Sequence, residues 1–467
     1  MSEKTTFALF FGNRGFFPPE VIADAQQEIK GRLDELGHDY ISMDKSLTQY
    51  GAVQTREEGQ MYANFLREHE GEYGGVILSL PNFGDENGAL AAFKSCEVPI
   101  YIQAYPDEMD KMAPALRRDA FCGKFSIMDV FYQAGITFTA LQPHTVLPSS
   151  DRFAANIDHF DRVCRVYNGM NDITVGAIGA RTTDFKTVRI DELALQRNGI
   201  LMETLDLSMI FARMNELDDG AQEVQAKQER LADYTNWDQV PSEAFNTLVK
   251  LGVAIDQFVE EYEMDAVAIR CWIEMQEQLG VSPCVLISEM NDRGIITACE
   301  VDIGNALAML GLSLASGNVA TVLDWNNNYK DVDDKCILFH CGPVPKSMML
   351  SPGQVTDHSI LKNSVGEGNA YGPVQGRIQP LPFTFSSIMT EEGRIRAYIG
   401  EGRFTEDTIP DDFFGCAGVA EIENLQSVLQ TVGYQGHRHH VSVTPDHVMA
   451  PVFEAFVRYL DYDVTPV

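Results

Sequence analysis

Ile296-Thr297-Ala298-Cys299-Glu300-Val301-Asp302-Ile303-Gly304-Asn305 leads into Val319-Ala320-Thr321-Val322-Leu323-Asp324-Trp325-Asn326, and this pair of segments sets the plan of the chain. Each has an apolar run that delivers a carboxylate near the end of an expected strand, and a helix-like segment, 305–316, joins them. A carboxylate beside a hydrophobic wall is costly unless a partner or a cation neutralises it. Glu300 and Asp324, brought to one sheet edge by a single crossover, therefore read as part of a divalent-cation site. Taken singly, either acid also reads as a helix cap or a surface carboxylate.

Imidazoles arrive later, in Cys336-Ile337-Leu338-Phe339-His340-Cys341-Gly342 and in Gly436-His437-Arg438-His439-His440-Val441. Two hard oxygens, one imidazole and open positions suit an octahedral Mn2+, with Co2+ or Mg2+ as alternatives, better than a closed tetrahedral zinc. In an extended run His437 and His439 face one way and Arg438 and His440 the other. One histidine can then meet a cation while its neighbour bonds substrate or a supporting carboxylate. Val441-Ser442-Val443 follows directly, so the run is embedded in structure; His447 reads as structural.

Working back toward the start, residues 7–11 (Phe-Ala-Leu-Phe-Phe) form an unbroken apolar strand suited to burial on both faces of a parallel sheet. A helix carrying Val21, Ala25, Ile29 and Leu33 at i, i+4 spacing follows, with Gly37 as its stop. Strands at 75–80 and 98–102 with a helix over 57–67 continue a doubly wound pattern. A second such unit opens at 173–179, has strands at 199–203 and 266–270, an exposed helix and loop over 215–236, and an amphipathic helix over 243–262. From 366 to 402 the texture turns rich in Gly and Pro, with alternating runs at 383–388 and 394–399 that read as antiparallel strands. A closing helix is expected to open at Thr444-Pro445-Asp446, with Val448, Val452, Phe456 and Leu460 as its apolar stripe. The expected class is α/β: two Rossmann-like parallel-sheet domains, 1–170 and 171–317, then a mostly antiparallel β domain with its closing helix, 318–467. The loop Asn13-Arg14-Gly15 lies where such sheets bind ligands, but without G-x-G-x-x-G a dinucleotide is not indicated.

At 467 residues, 45% hydrophobic and 22% charged, the chain has the makeup of a globular protein of two or three domains. No apolar run approaches the roughly 20 residues of a membrane helix. The N-terminal run reads as a first strand rather than a signal peptide, so a cytoplasmic location is expected. The formal charge of −33 repels nucleic acid and anionic membrane and otherwise reads as a solvated surface. Nine cysteines without a C-x-x-C pair argue for reduced thiols. Cys336 and Cys341 flank His340 at a spacing that fits no zinc knuckle, which favours buried structural thiols.

The order Cys299-Glu300-Val301-Asp302, Leu323-Asp324-Trp325-Asn326, His340-Cys341-Gly342 and His439-His440-Val441-Ser442-Val443 resembles the L-fucose isomerase/L-arabinose isomerase superfamily. The opening Gly12-Asn13-Arg14-Gly15-Phe16-Phe17-Pro18 is similar to the N-terminal loop of fucose-isomerase-like proteins. This resemblance implies a metal-dependent intramolecular oxidoreductase that interconverts an aldose and its ketose through a cis-enediol(ate). It makes Glu300 and Asp324 the metal-binding acid/base pair and His440 the C-terminal ligand, with His439 and Asn326 beside the substrate. His340 matches an additional ligand of the arabinose branch that the fucose branch lacks, so its role stays open. Arg14 would reach the sugar of a neighbouring subunit, which implies a homo-oligomer with shared sites. Trp272 would line the sugar, in Arg270-Cys271-Trp272 where the family has Gln-x-Trp.

The implied substrate is a free sugar of the fucose or arabinose type or a C6-modified hexose such as sulfoquinovose. A C6 sulfonate would want a guanidinium, and Arg14, Arg181, Arg270, Arg377 and Arg438 are the candidates. The competing class is a non-catalytic cytoplasmic sugar-binding protein with a two-domain α/β cleft; a metal-dependent hydrolase stands third.

Overall fold

The computed structural model describes residues 4–467, so Met1, Ser2 and Glu3 of the N-terminal run lie outside the described residues. The chain divides into two compact units, Met1–Asn168 with Ala450–Asp461 and Gly169–Met449 with Tyr462–Val467. In the first, β1 (Phe7–Phe11), β2 (Tyr40–Ser42), β3 (Gly75–Leu80) and β4 (Ile100–Ala104) form a parallel sheet in the order β2-β1-β3-β4. All five residues of β1 are buried, as an apolar run sandwiched between helix layers must be. The helix Glu20–Leu36 buries Ile22, Ala25, Ile29 and Leu33 and ends on Gly37, whose φ of 73° closes it at no steric cost.

The second unit holds two sheets. β5 (Ile173–Ile178), β6 (Ile200–Leu205), β7 (Ala266–Ile269) and β8 (Ile296–Cys299) are parallel, in the order β6-β5-β7-β8. Nine further strands follow: β9 (Thr321–Asn328), β10 (Lys335–His340), β11 (Gln354–Asp357), β12 (Tyr371–Arg377), β13 (Leu381–Glu391), β14 (Arg394–Phe404), β15 (Cys416–Glu421), β16 (His440–Pro445) and β17 (Asp463–Pro466). They form one mostly antiparallel sheet, and a β14–β15 pairing closes β15-β10-β9-β16-β13-β14 into a ring. The α/β class expected from the sequence, with two parallel sheets and a mostly antiparallel C-terminal one, is the class observed.

Four local expectations are corrected. Glu300 and Asp324 do not share a sheet: β8 belongs to the parallel sheet and β9 to the ring, so the helix Ile303–Ser316 passes from one to the other. Asp324 lies inside β9 rather than at its end, because Asn327 and Asn328 go on pairing with Ile337 and Cys336 of β10. Thr444 and Pro445 end β16 instead of capping a helix. They pair with Thr384 and Phe383 of β13, while pairing with β9 stops at Val443, so the missing proline N–H costs nothing on that side. The helix starts at Met449, and Val448, Val452, Phe456 and Leu460 are buried as expected. The stretch 215–236 is not simply exposed: the helix Gln222–Tyr234 turns Val224, Lys227 and Leu231 inward.

Candidate metal centre

The site lies in the second unit, where the carboxyl ends of β5, β7 and β8 face ring strands β9, β10 and β16. After Cys299 the chain reverses through two consecutive left-handed residues, Glu300 (φ 63°) and Val301 (φ 56°). For a β-branched valine this is a true outlier, costing on the order of 1–3 kcal/mol. Backbone bonds from Val301 N to Ile269 O (3.2 Å) and from Asp302 N to Cys299 O (3.1 Å) hold the reversal. Glu300 Oε1 then accepts the indole N–H of Trp272 at 2.9 Å, and Oε2 stands 3.0 Å from His440 Nε2.

Register supplies the rest. His440 on β16 lies opposite Asp324 on β9, and Asp324 lies opposite Phe339 on β10, which puts His340 next along that strand. His440 Nε2 and His439 Nε2 are each 3.4 Å from Asp324 Oδ1. Ligand atoms of Glu300, His340 and His440 all lie within 4.8 Å of one another, as do those of Asp324, His439 and His440. Glu300, Asp324, His439, His440, His340 and Trp272 are therefore brought together.

Behind them sits Asp302, quoted within the motif but given no role by sequence reasoning. It is fully buried, caps the helix Ile303–Ser316 by accepting from Asn305 N (3.1 Å), pairs with the buried Arg438, and accepts from His440 Nδ1 at 2.7 Å. Burial pushes its carboxyl up, but the Arg438 charge and the His440 and Asn305 hydrogen bonds win and hold it far below the usual range. An ionised Asp302 fixes the proton of His440 on Nδ1 and leaves Nε2 to face Glu300 and Asp324.

The protonation pattern of the bare site is lopsided. Burial opposes charge on His440, yet hydrogen bonds to Asp302 and Glu300 raise it to about 10. Glu300 is likewise opposed by burial, and the hydrogen bond and charge of His440 bring it down to about 2. His340, against burial, is raised to about 9, mainly by Cys341 and then by Asp324 and Glu300.

A hard divalent cation fits these donors. Ligands on adjacent octahedral corners, with bonds of about 2.1 Å, stand about 3 Å apart, and the spacings here are 3.0 and 3.4 Å. Asp324 Oδ1 and His340 Nε2 are buried without a hydrogen-bond partner, the mark of atoms that await a ligand. His340 differs from His440 in one respect: its Nδ1 faces Cys341 rather than a carboxylate, 2.9 Å from the backbone nitrogen and 3.3 Å from Sγ.

The cavity over these groups measures about 270 Å3 and is lined by Trp272, Glu300, Asp324, His340, His358 and Leu361 among others. Phe185, in the loop after β5, packs on Trp272, His439 and His440 with ring centroids 5.9, 5.5 and 5.6 Å apart; its place after a strand of the parallel sheet was the only signal for it. Asn326 lines a different cavity, with Lys335 and Gln426. Arg14 belongs to the first unit, where it pairs with Glu86 and stacks over Phe83 at 4.3 Å. Of the other guanidinium candidates, Arg438 is committed to Asp302, Arg270 to Glu274, and Arg181 and Arg377 to backbone carbonyls; none lines this cavity among the described residues.

Against known proteins, residues 8–171 match the family model described as "Fucose/sulfoquinovose isomerase, N-terminal domain" and residues 338–466 the one described as "L-fucose isomerase, C-terminal domain". Curated relatives include a sulfoquinovose isomerase from Priestia megaterium, 25% identical over 185 residues, or 38% of this chain and 40% of that one. Another, from Alkalicoccus urumqiensis, is 26% identical over 39% of this chain and 41% of that one. A third, from a Clostridium species, is 23% identical over 43% of this chain and 45% of that one. The chain thus matches less than half the length of these relatives. Among the described residues no helix is long and apolar enough to cross a membrane.

Proposed function

Since the chain belongs to the fucose/sulfoquinovose isomerase family, we propose that it interconverts an aldose and its ketose on Glu300 and Asp324, with a divalent cation such as Mn2+ held by Glu300, Asp324 and His440. The observation that carries this reading is the meeting of Glu300 Oε2 and Asp324 Oδ1 at 3.0 and 3.4 Å from one imidazole nitrogen whose proton Asp302 keeps on the far side. The cation, when bound, would polarise the sugar carbonyl and stabilise the negative charge that develops on its oxygens.

The chain's own groups do the rest. The reaction moves the proton on C2 to C1 and the proton on O2 to O1, through an enediol(ate). Glu300, ionised through the neutral range, is the group that takes the proton from C2. Trp272 holds its other oxygen by the indole N–H, so the carboxylate meets the sugar in one orientation. Asp324 serves the opposite side of the C1–C2 unit. His340 lines the same cavity with its Nε2 free of any partner, placed to add a further ligand to the cation or to meet a sugar oxygen. Phe185 and Trp272 form an apolar wall that keeps water from the reacting carbons.

The substrate class is a free aldose, either a fucose- or arabinose-type sugar or a C6-modified hexose, and the names of the relatives make sulfoquinovose the C6-modified form to test. No arginine or lysine of the second unit lines the cavity among the described residues, so a sulfonate would need a guanidinium from elsewhere, Arg14 of the partner subunit in a homo-oligomer being the candidate. The deciding experiment assays ketose formation from L-fucose, D-arabinose, glucose and sulfoquinovose, with Mn2+ present and after EDTA stripping. A metal-restored ketose from one of these supports the reading. Tight sugar binding without any product would replace the isomerase by the sugar-binding alternative.

A further inference from the structure

Four thiols meet beside the sugar cavity, and the proposed isomerisation uses none of them. They come from four elements: Cys271 follows β7, Cys284 opens the helix Cys284–Asp292, Cys299 ends β8 and Cys341 follows β10. They are scattered over 70 positions of sequence, and only the fold brings them together. Cys284 Sγ and Cys341 Sγ are 3.9 Å apart. The thiol of Cys299 is within reach of Cys271, Cys284 and Cys341. Cys271, Cys284 and Cys341 all line the cavity that also holds Glu300 and Asp324.

We propose that these sulfurs form a second cation site, for a thiophilic divalent ion of the Zn2+ or Cd2+ kind, distinct from the hard-ion site of carboxylates and His440. Two sulfurs bound at about 2.3 Å to one tetrahedral ion stand about 3.8 Å apart, and the Cys284–Cys341 pair already has that spacing. A disulfide would need the same two atoms at about 2.0 Å, with one residue fixed in a helix and the other at a strand end; an ion asks for no such closure. Soft sulfur donors select soft ions, and the neighbouring carboxylates select hard ones, so two cations can be sorted between adjacent sites. Cys284 and Cys341 supply the first two bonds, and Cys299 and Cys271 are the further donors. Each thiol that binds releases its proton to solvent. His340 flanks the set, one of its ring nitrogens within 4.8 Å of the Cys299 and Cys341 sulfurs. A bound ion would tie the ends of β8 and β10 to the start of the helix Cys284–Asp292 behind the hard-ion site.

The test titrates Cd2+ into the full chain already loaded with Mn2+, reading the ultraviolet sulfur-to-cadmium charge-transfer absorption. The expected result is a saturable band that Cys341→Ser and Cys284→Ser each weaken by at least tenfold in Cd2+ affinity. The Glu300→Gln variant should keep the band whatever becomes of isomerase activity, which separates this site from the proposed function. Absence of the band in fully reduced protein would overturn the proposal, and so would a band that survives both cysteine substitutions. Cys341 is only partly buried, so its serine variant is expected to fold, as near-ultraviolet circular dichroism will show.

Discussion

Replacing Asp302 by Asn tests the support beneath the site without touching any group that faces the sugar. The change keeps the side chain's shape and removes its charge. Asp302 is 0% and Arg438 5% exposed, so the substitution strands a buried guanidinium. Breaking such a pair costs about 3–5 kcal/mol of stability. A second effect falls on His440. With the amide nitrogen turned toward Nδ1, the imidazole must accept there and carry its proton on Nε2, the atom that faces Glu300 at 3.0 Å. Loss of such an orienting carboxylate lowers metal affinity about 10- to 100-fold, equivalent to about 1.4–2.7 kcal/mol. Urea denaturation would read the first effect and Mn2+ binding calorimetry the second. The double variant Asp302→Asn/Arg438→Met removes the stranded charge, so stability should largely return while Mn2+ affinity stays low. Recovery of both together would refute the orienting role, and so would Mn2+ affinity within twofold of wild type in the single variant.

Glu300→Gln should lower the rate of isomerisation by at least about a hundredfold, because the amide cannot take the C2 proton; solvent-deuterium exchange into the sugar would fall with it. Lys227 is 1% exposed and bonds Glu289 and Asp256 at 2.7 and 3.0 Å, so Lys227→Met should cost about 3 kcal/mol in chemical denaturation, the low end of the range because Arg293 still reaches Glu289. In the metal-free protein His440 stands at about 10 against an ordinary 6.5, so its stabilising contribution is complete below 6.5 and is lost as pH rises toward 10. Glu300 stands at about 2 against 4.5, so its contribution holds above 4.5 and is lost as pH falls toward 2. A cation must displace the His440 proton, so Mn2+ binding near pH 7 should release about one proton and tighten roughly tenfold per pH unit; calorimetry in buffers of different ionisation enthalpy would show it, and binding without proton release would count against the His440 assignment.

The two parallel sheets were legible because β1 is an unbroken apolar run and β3 and β5 are each broken by a single hydroxyl residue, all between helical segments, a pattern local to the sequence. Glu300, Asp324 and the histidine run were legible because acids and imidazoles that interrupt apolar runs need a reason to be there. What stayed hidden is long-range. That Glu300 and Asp324 sit on different sheets follows from strand pairing, β8 with β7 and β9 with β10 and β16, not from the crossover between them. Asp302 drew no role from the sequence, and its first duty is local, as the cap of the helix Ile303–Ser316. Its second duty toward Arg438 and His440 exists only because β16, some 140 positions on, folds against the start of that helix. Thr444-Pro445 carried the local chemistry of a helix start, and pairing with β13 overrode it. The thiol cluster was invisible for the same reason, since no two of its members are close in sequence.

Mn2+ occupancy measured beside activity puts the central claim to its most direct trial. Stripped protein titrated with Mn2+ should gain aldose–ketose isomerase activity in proportion to the filling of a single hard-ion site, and His440→Ala should lose binding and activity together. Full activity in the stripped protein, or unchanged Mn2+ binding in His440→Ala, would contradict the convergence of Glu300, Asp324 and His440 on one ion.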